Sequence, residues 1–275
     1  MFAYKYWENF CRELDKQNIH SVTAESVLAE SRKEFLILKH DVEDKPEKAL
    51  DMAKIEARYG HRGTYYVQGF LLNEKNISVL KEIQRLGHEL SYHHDVMDAN
   101  AGDIQKALET FRQNKDNFEK NGFIIKTVCQ HGNPIANRVG YTSNRDFFRN
   151  EGVCAQFPDI AEIMVNFKEK TGVNHTYISD AGYGFKIIFD PETNDILKSD
   201  DKDVKLKNLD SVADVIKQGG ATIVSTHPHR WCESTKEAYF KYVRFKFLRA
   251  GAKIAYKIPG INKIMEKFYF ITKKI

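Results

Sequence analysis

Histidine closes four separate extended runs of this chain: Lys39-His40-Asp41-Val42-Glu43, Tyr92-His93-His94-Asp95, Gln130-His131-Gly132 and Thr226-His227-Pro228-His229-Arg230-Trp231. Imidazoles and carboxylates are ligands for divalent transition metals, and a hydrolase built on such a metal needs a proton-transfer group beside it. The ligands must meet in space while staying apart in sequence, which parallel strands ending on one rim achieve. Side chains two apart on a strand share a face, so Asp41 and Glu43 project together, one able to hold a metal and the other to take a proton from water. Adjacent His93 and His94 face opposite sides, so only one of them ligates directly. His131 precedes Gly132, which permits a sharp turn and a close backbone approach. His227 precedes Pro228, which imposes extended or turn geometry, and an unperturbed imidazole pKa of about 6.5 suits it to general acid work. His20, His61 and His175 lack such surroundings and are expected to be surface or core residues.

The elements that must position these groups alternate. Phe35-Leu36-Ile37-Leu38 is an apolar run of buried-strand type leading into His40,. Pro46 suits the first turn of a helix carrying Leu50, Ala53 and Ala57 on one face and stopping at Gly60,. Thr64 to Val67 reads as a strand, Glu74 to Leu86 as a helix capped by Gly87, and His88 to Tyr92 as the strand that delivers His93. An amphipathic helix spans Gly102 to Asn121, a strand Ile124 to Cys129, a helix Leu209 to Gln218, and a strand Ala221 to Ser225 that ends at His227,. The stretch from Asn133 to Leu206, with scattered Pro, Asn, Asp and Gly, is expected to form long loops over the site with one or two short strands. Such alternation predicts a parallel α/β sheet, closed or nearly closed.

At 275 residues and 42% hydrophobic content the chain can bury a full core in one domain,. Cys11, Cys129, Cys154 and Cys232 form no Cys-x-x-Cys pair, which argues against a zinc knuckle or redox dithiol and suits reduced thiols in the cytoplasm,. The first residues lack the pattern of a secretory signal, and no apolar stretch approaches the roughly 20 residues of a membrane span. The net charge of +4 is unevenly spread: from Lys236 to Ile275 eleven Lys or Arg stand against two Glu, leaving the body slightly acidic,. Two regions are therefore expected, a catalytic body over 1–233 and a basic, aromatic, helical extension over 234–275. In the extension, Tyr239 to Leu248 is expected to pack its apolar side on the body, and past Pro259 contact with a surface or, peripherally, with the inner membrane face is expected. Nucleic acid is not an expected partner.

Taken in order, His40-Asp41-Val42-Glu43, Gly87-His88-Glu89-Leu90-Ser91-Tyr92-His93, His131-Gly132-Asn133-Pro134, Tyr177-Ile178-Ser179-Asp180 and Thr226 to Trp231 resemble the motifs of polysaccharide deacetylase-like proteins, the NodB-homology or carbohydrate-esterase type, from Phe35 to Trp231. The resemblance implies a distorted (β/α) barrel of about seven strands and zinc-dependent removal of acetyl from an N-acetylated sugar of a surface polysaccharide or its precursor. It implies Asp41 as catalytic base, Glu43 and His93 as metal ligands, and His227 as the group that protonates the departing amine. Three departures stand out: Met97 occupies the position of the family's second metal histidine, His131-Gly132-Asn133-Pro134 replaces the Arg-x-Pro that orients the base, and Glu43 replaces an Asp. The third ligand is then His131, His94 or Asp95, with His131 preferred because it ends the next strand. His40, His94, Asp95, Asp180, His229, Arg230 and Trp231 are expected to support ligands or touch substrate. Two alternatives stay open: a glycan-binding or assembly protein that keeps the barrel without turnover, and another metal-assisted amide or ester hydrolase.

Overall fold

The computed structural model describes residues 2–133, 136–197 and 202–255; Pro134 of the third motif and the tail from Tyr256 on, with Pro259, lie outside the described residues. Among the described residues nine strands form one sheet: β1 (Phe35–Val42), β2 (Gly63–Gln68), β3 (Glu89–His94), β4 (Thr127–Gln130), β5 (Ala161–Glu162), β6 (Thr176–Ser179), β7 (Lys186–Ile187), β8 (Val204–Lys205) and β9 (Ala221–Thr226). Their order is β5-β4-β3-β2-β1-β9-β6-β7-β8. The seven from β5 through β6 run parallel, and β7 and β8 continue the sheet antiparallel. The α/β class and the count of parallel strands are those expected, while the hydrogen-bonded ladder among the described residues runs from β5 to β8 without closing.

All eight residues of β1 are buried, which is the signature of a parallel strand covered on both sides,. One face of the sheet carries Phe35, Ile37, Tyr66, Cys129, Ala161, Tyr177 and Ile223, which pack with one another across strands that are not neighbours. The other face is covered by helices. On one side of β1 it holds Val42, Tyr65, Val67, Leu90, Tyr92 and Val128, and on the other Leu36, Leu38 and Val224 with Trp7 and Trp231.

The helices are α1 (Tyr4–Asp15), α2 (Ala24–Glu30), α3 (Pro46–Arg58), α4 (Ile77–Arg85), α5 (Val96–Ala99), α6 (Ile104–Lys120), α7 (Asp146–Arg149), α8 (Glu151–Gln156), α9 (Phe167–Thr171), α10 (Asn194–Leu197), α11 (Leu209–Ile216) and α12 (Thr235–Ala255). Pro46 opens α3, where its missing N–H costs nothing,. Gly87 ends the turn from α4 into β3 at φ +90°, a backbone conformation that favours glycine, while the side chain nearest to it, Arg62, is a flexible one,.

Two expectations need correction. The 133–206 stretch is loop over most of its described length, as expected, but it holds four short strands rather than one or two, β5 to β8, together with four short helices, and α7 sends Phe147 and Phe148 into the core beside Phe111. Scattered polar residues hid these elements because each is only two to six residues long, too short for a hydrophobic period to show. The helix α12 also departs from a simple packed extension. Ala238 is buried and Phe245 meets Tyr183 with ring centroids 4.8 Å apart, but Tyr239, Phe240, Phe247 and Leu248 are exposed.

Candidate active site

Strand parity and register decide what reaches the site. Lys39 pairs with Ser225, Asp41 with Tyr66, and Gln68 with His93, which in turn pairs with Cys129, so these side chains share the inner face,. Beyond the strand ends, Glu43, His131 and His227 extend the same face to the rim. His131 Nε2 lies 3.2 Å and His93 Nε2 3.7 Å from Glu43 Oε1, and one ligand atom from each of the three residues falls within 4.8 Å of the others. His93 Nδ1 donates to the Cys129 carbonyl at 3.0 Å, which fixes the tautomer and leaves Nε2 as a lone pair,. That Nε2 is buried and makes no hydrogen bond among the described residues. Burial opposes ionisation of Glu43, but hydrogen bonding from His131 and the charge of the neighbouring imidazoles, His131 and His227, prevail and hold its carboxyl well below the usual carboxylate range,.

One carboxylate, a lone-pair imidazole aimed at it and a second imidazole beside it make a three-ligand set that fits a divalent metal of the zinc type. A second grouping, Asp41, His93 and Cys129, shares His93. It suits a metal less well, because Lys39 already holds Asp41 and the Nδ1 proton of His93 is already donated.

Lys39 is the residue that the sequence analysis missed. It is buried on the inner face, and its Nζ donates to both oxygens of Asp41, at 2.5 and 2.6 Å, and to Ser225 Oγ at 3.2 Å. Burial would lower the Lys39 pKa, yet the Asp41 carboxylate, with smaller contributions from its neighbours, drives it well above normal; burial would raise Asp41 in turn, but Lys39, His93 and His227 together bring it below its ordinary value. Asp41 is therefore ionised and fixed in place, with His227 Nε2 3.9 Å from its Oδ2. His227 Nδ1 donates to Asp180 Oδ1 at 2.6 Å, and its backbone N–H reaches Asp180 Oδ2 at 3.0 Å. Arg230 adds a 2.8 Å bond to the same carboxylate. Burial pushes the Asp180 pKa up, but Arg230 and His227 together bring it down to about 2. The result is an imidazole oriented by an anion with its second nitrogen facing the site, an arrangement suited to proton transfer.

The loop carrying His131 is tied from outside. Asn144 Nδ2 donates to the His131 carbonyl at 2.8 Å and to Asp98 Oδ2 at 2.9 Å. Arg138 grips Asp98 with two 2.8 Å bonds and also reaches the Asn133 carbonyl. Gly132 has no positive φ, and a Cβ there would meet nothing within 4 Å, so the turn after His131 does not demand glycine. Gln68, beside His93 and buried, leaves both amide atoms without a partner among the described residues.

Several expected neighbours stand elsewhere. His40 and His94 occupy the opposite face, as parity requires. His40 Nδ1 bonds Thr226 Oγ1 at 2.7 Å and its Nε2 lies 2.9 Å from Glu56 Oε1, inside a buried network with Trp7 and Tyr65. His94 is enclosed by Tyr92, Phe111, Phe147 and Phe148, and burial takes its pKa down to about 3. Asp95 opens α5, and His131 rather than His94 or Asp95 joins Glu43 and His93. Met97 is part of the hydrophobic core. Trp231 is also a core residue, meeting Phe2 and Trp7 edge-on. His229 stays near the site, its ring 5.9 Å from that of His227.

No family model matches the chain, and no curated protein is matched. Solved structures similar to it are carbohydrate esterases and deacetylases. A CE4 esterase of Streptococcus mutans shares 13% identity over 84% of this chain and 89% of that one, with a TM-score of 0.48. A family 4 carbohydrate esterase from Streptomyces lividans, in complex with acetate, shares 12% over 77% and 87%, with a TM-score of 0.44. The peptidoglycan deacetylase PdaC of Bacillus subtilis shares 11% over 82% and 98%, with a TM-score of 0.38.

Proposed function

We propose that this protein is a metal-dependent hydrolase that removes an N-acetyl group from a sugar of a surface polysaccharide or its precursor. The observation that carries the reading is the meeting of Glu43, His93 and His131 between an ionised Asp41 on one side and the Nε2 of an anchored His227 on the other. Glu43, His93 and His131 would hold the metal, zinc by the chemistry of the set. A divalent ion there supplies Lewis-acid polarisation of a carbonyl and a lowered pKa for water. Asp41, kept ionised by Lys39, accepts the proton of the attacking water. His227 Nε2 delivers a proton to the leaving amine, with Asp180 and Arg230 fixing its direction. Gln68 offers an unpartnered amide on the same face with which to orient the sugar. The order of the motifs from His40 to Trp231 supports the acetamide as the bond attacked.

The expected result is about one zinc per chain after reconstitution and acetate release from N-acetylated oligosaccharides, with metal content and activity both lost in Glu43→Ala and His93→Ala. A chain that takes up no divalent metal would sink the reading. The two-oxygen grip of Lys39 on Asp41 favours one alternative, a glycan-binding protein without turnover. In that case sugar binding persists under chelation and no acetate forms.

A further inference from the structure

We propose that α12 is a peripheral docking element for an anionic lipid bilayer. Its inner side is occupied, Ala238 being buried and Phe245 lying on Tyr183. At 3.6 residues per turn, Tyr239, Val243, Phe247 and Phe240 fall within an arc of about 100° on the opposite side. Tyr239 is 56% exposed, Phe240 63% and Phe247 75%. Lys246 and Arg244 flank that arc, Lys236 lies within it, and all three are exposed. An aromatic stripe edged by long cationic side chains is what inserts at a headgroup boundary: the rings enter, and the aliphatic stems let the charges stay with the phosphates.

Charge selects the occupant. From Thr235 to Ala255 six Lys or Arg stand against one Glu, while the body of the protein is slightly acidic, so an anionic surface is attracted at this end,. The sequence continues with the same basic and aromatic composition from Tyr256 to Ile275. No described helix is long and apolar enough to cross a membrane. The helix also adjoins the candidate site. Tyr183, which receives Phe245, lies 5.6 Å under the Arg230 guanidinium, and Arg230 holds the Asp180 that orients His227. A membrane-borne glycan is therefore the substrate class that suits the site, an extension that rests on the proposed hydrolase reading.

Co-sedimentation of the full chain with vesicles tests docking alone, with no turnover involved, so the two proposals fail separately. Binding is expected to vesicles of phosphatidylcholine with about a third phosphatidylglycerol, to be absent with phosphatidylcholine alone, and to weaken as salt screens the charges. Phe240→Ser with Phe247→Ser should lower partitioning about tenfold or more while leaving the thermal midpoint unchanged. Arg244→Glu with Lys246→Glu should do the same and make the remaining binding less sensitive to salt. Failure to bind anionic vesicles at low salt overturns the proposal. So does a solution dimer that the Phe variant dissociates, which would make the stripe a contact between copies. A thermal midpoint lowered by the Phe variant also overturns it, since the stripe would then be covered by the chain itself.

Discussion

Lys39 and Asp41 are two residues apart on β1, and their bond is local in sequence but depends on a buried inner face. Removing one partner of a buried pair strands the other charge. Lys39→Met should destabilise the protein by about 3–5 kcal/mol in denaturant titrations, and Asp41→Asn added to it should recover most of that loss. A double variant no more stable than the single one would show that the two groups are not coupled. The carboxylates at 41 and 43 were legible in the sequence because period-two alternation is enough to place them together. The lysine was not. A cation in a strand reads as a solvated charge, and only a closed surround of Tyr66, Tyr177, Cys129 and Ser225 makes it an internal counter-ion.

At the level of elements, the His131 loop depends on α5 and on the residues before α7. Asn144 bridges the His131 carbonyl to Asp98, and Arg138 clamps Asp98. These groups touch no candidate ligand side chain, yet they fix where the imidazole stands. Asn144→Ala is expected to weaken zinc affinity by about 10–100-fold in a chelator competition, with the helical and strand content retained. Unchanged affinity would mean that other contacts hold the loop. The strands carrying His93 and His227 were foreseen to within two residues, since Gly87 and Gly219-Gly220 mark where each preceding helix has ended and the extended run begins. The Asp98-Arg138-Asn144 brace was not foreseen, because nothing local in those polar residues distinguishes an anchor from a solvated loop.

Across the whole molecule the inner face is layered, with the site at the carboxyl ends of the strands and a polar belt near their amino ends. There Glu89 accepts from Thr64 Oγ1, the Glu25 backbone N–H and Thr127 Oγ1. Burial raises its pKa from 4.5 to about 7, with Glu25 adding to the shift. The fold therefore prefers the protonated acid: its contribution is complete below the unfolded value and is lost as pH rises through about 7. The thermal midpoint should fall between about pH 5 and pH 8, and that fall should be smaller in Glu89→Gln. An identical pH dependence in the variant would remove Glu89 as its source. The belt is far from the candidate metal ligands in strand position, so the measurement reports on the fold.

The sequence by itself determined the alternation of strand and helix, the rim positions of His93, His131 and His227, and the rule that His93 and His94 part company. These follow from backbone geometry over a few residues, which neighbours in the chain already specify. Only the tertiary structure decided which face was inward. That choice sent His40, His94, Met97 and Trp231 into buried packing, brought Lys39 to Asp41, and placed His131 beside Glu43. Each of these outcomes depends on register between strands and on burial shared among residues distant in the chain, and no local pattern encodes that sum.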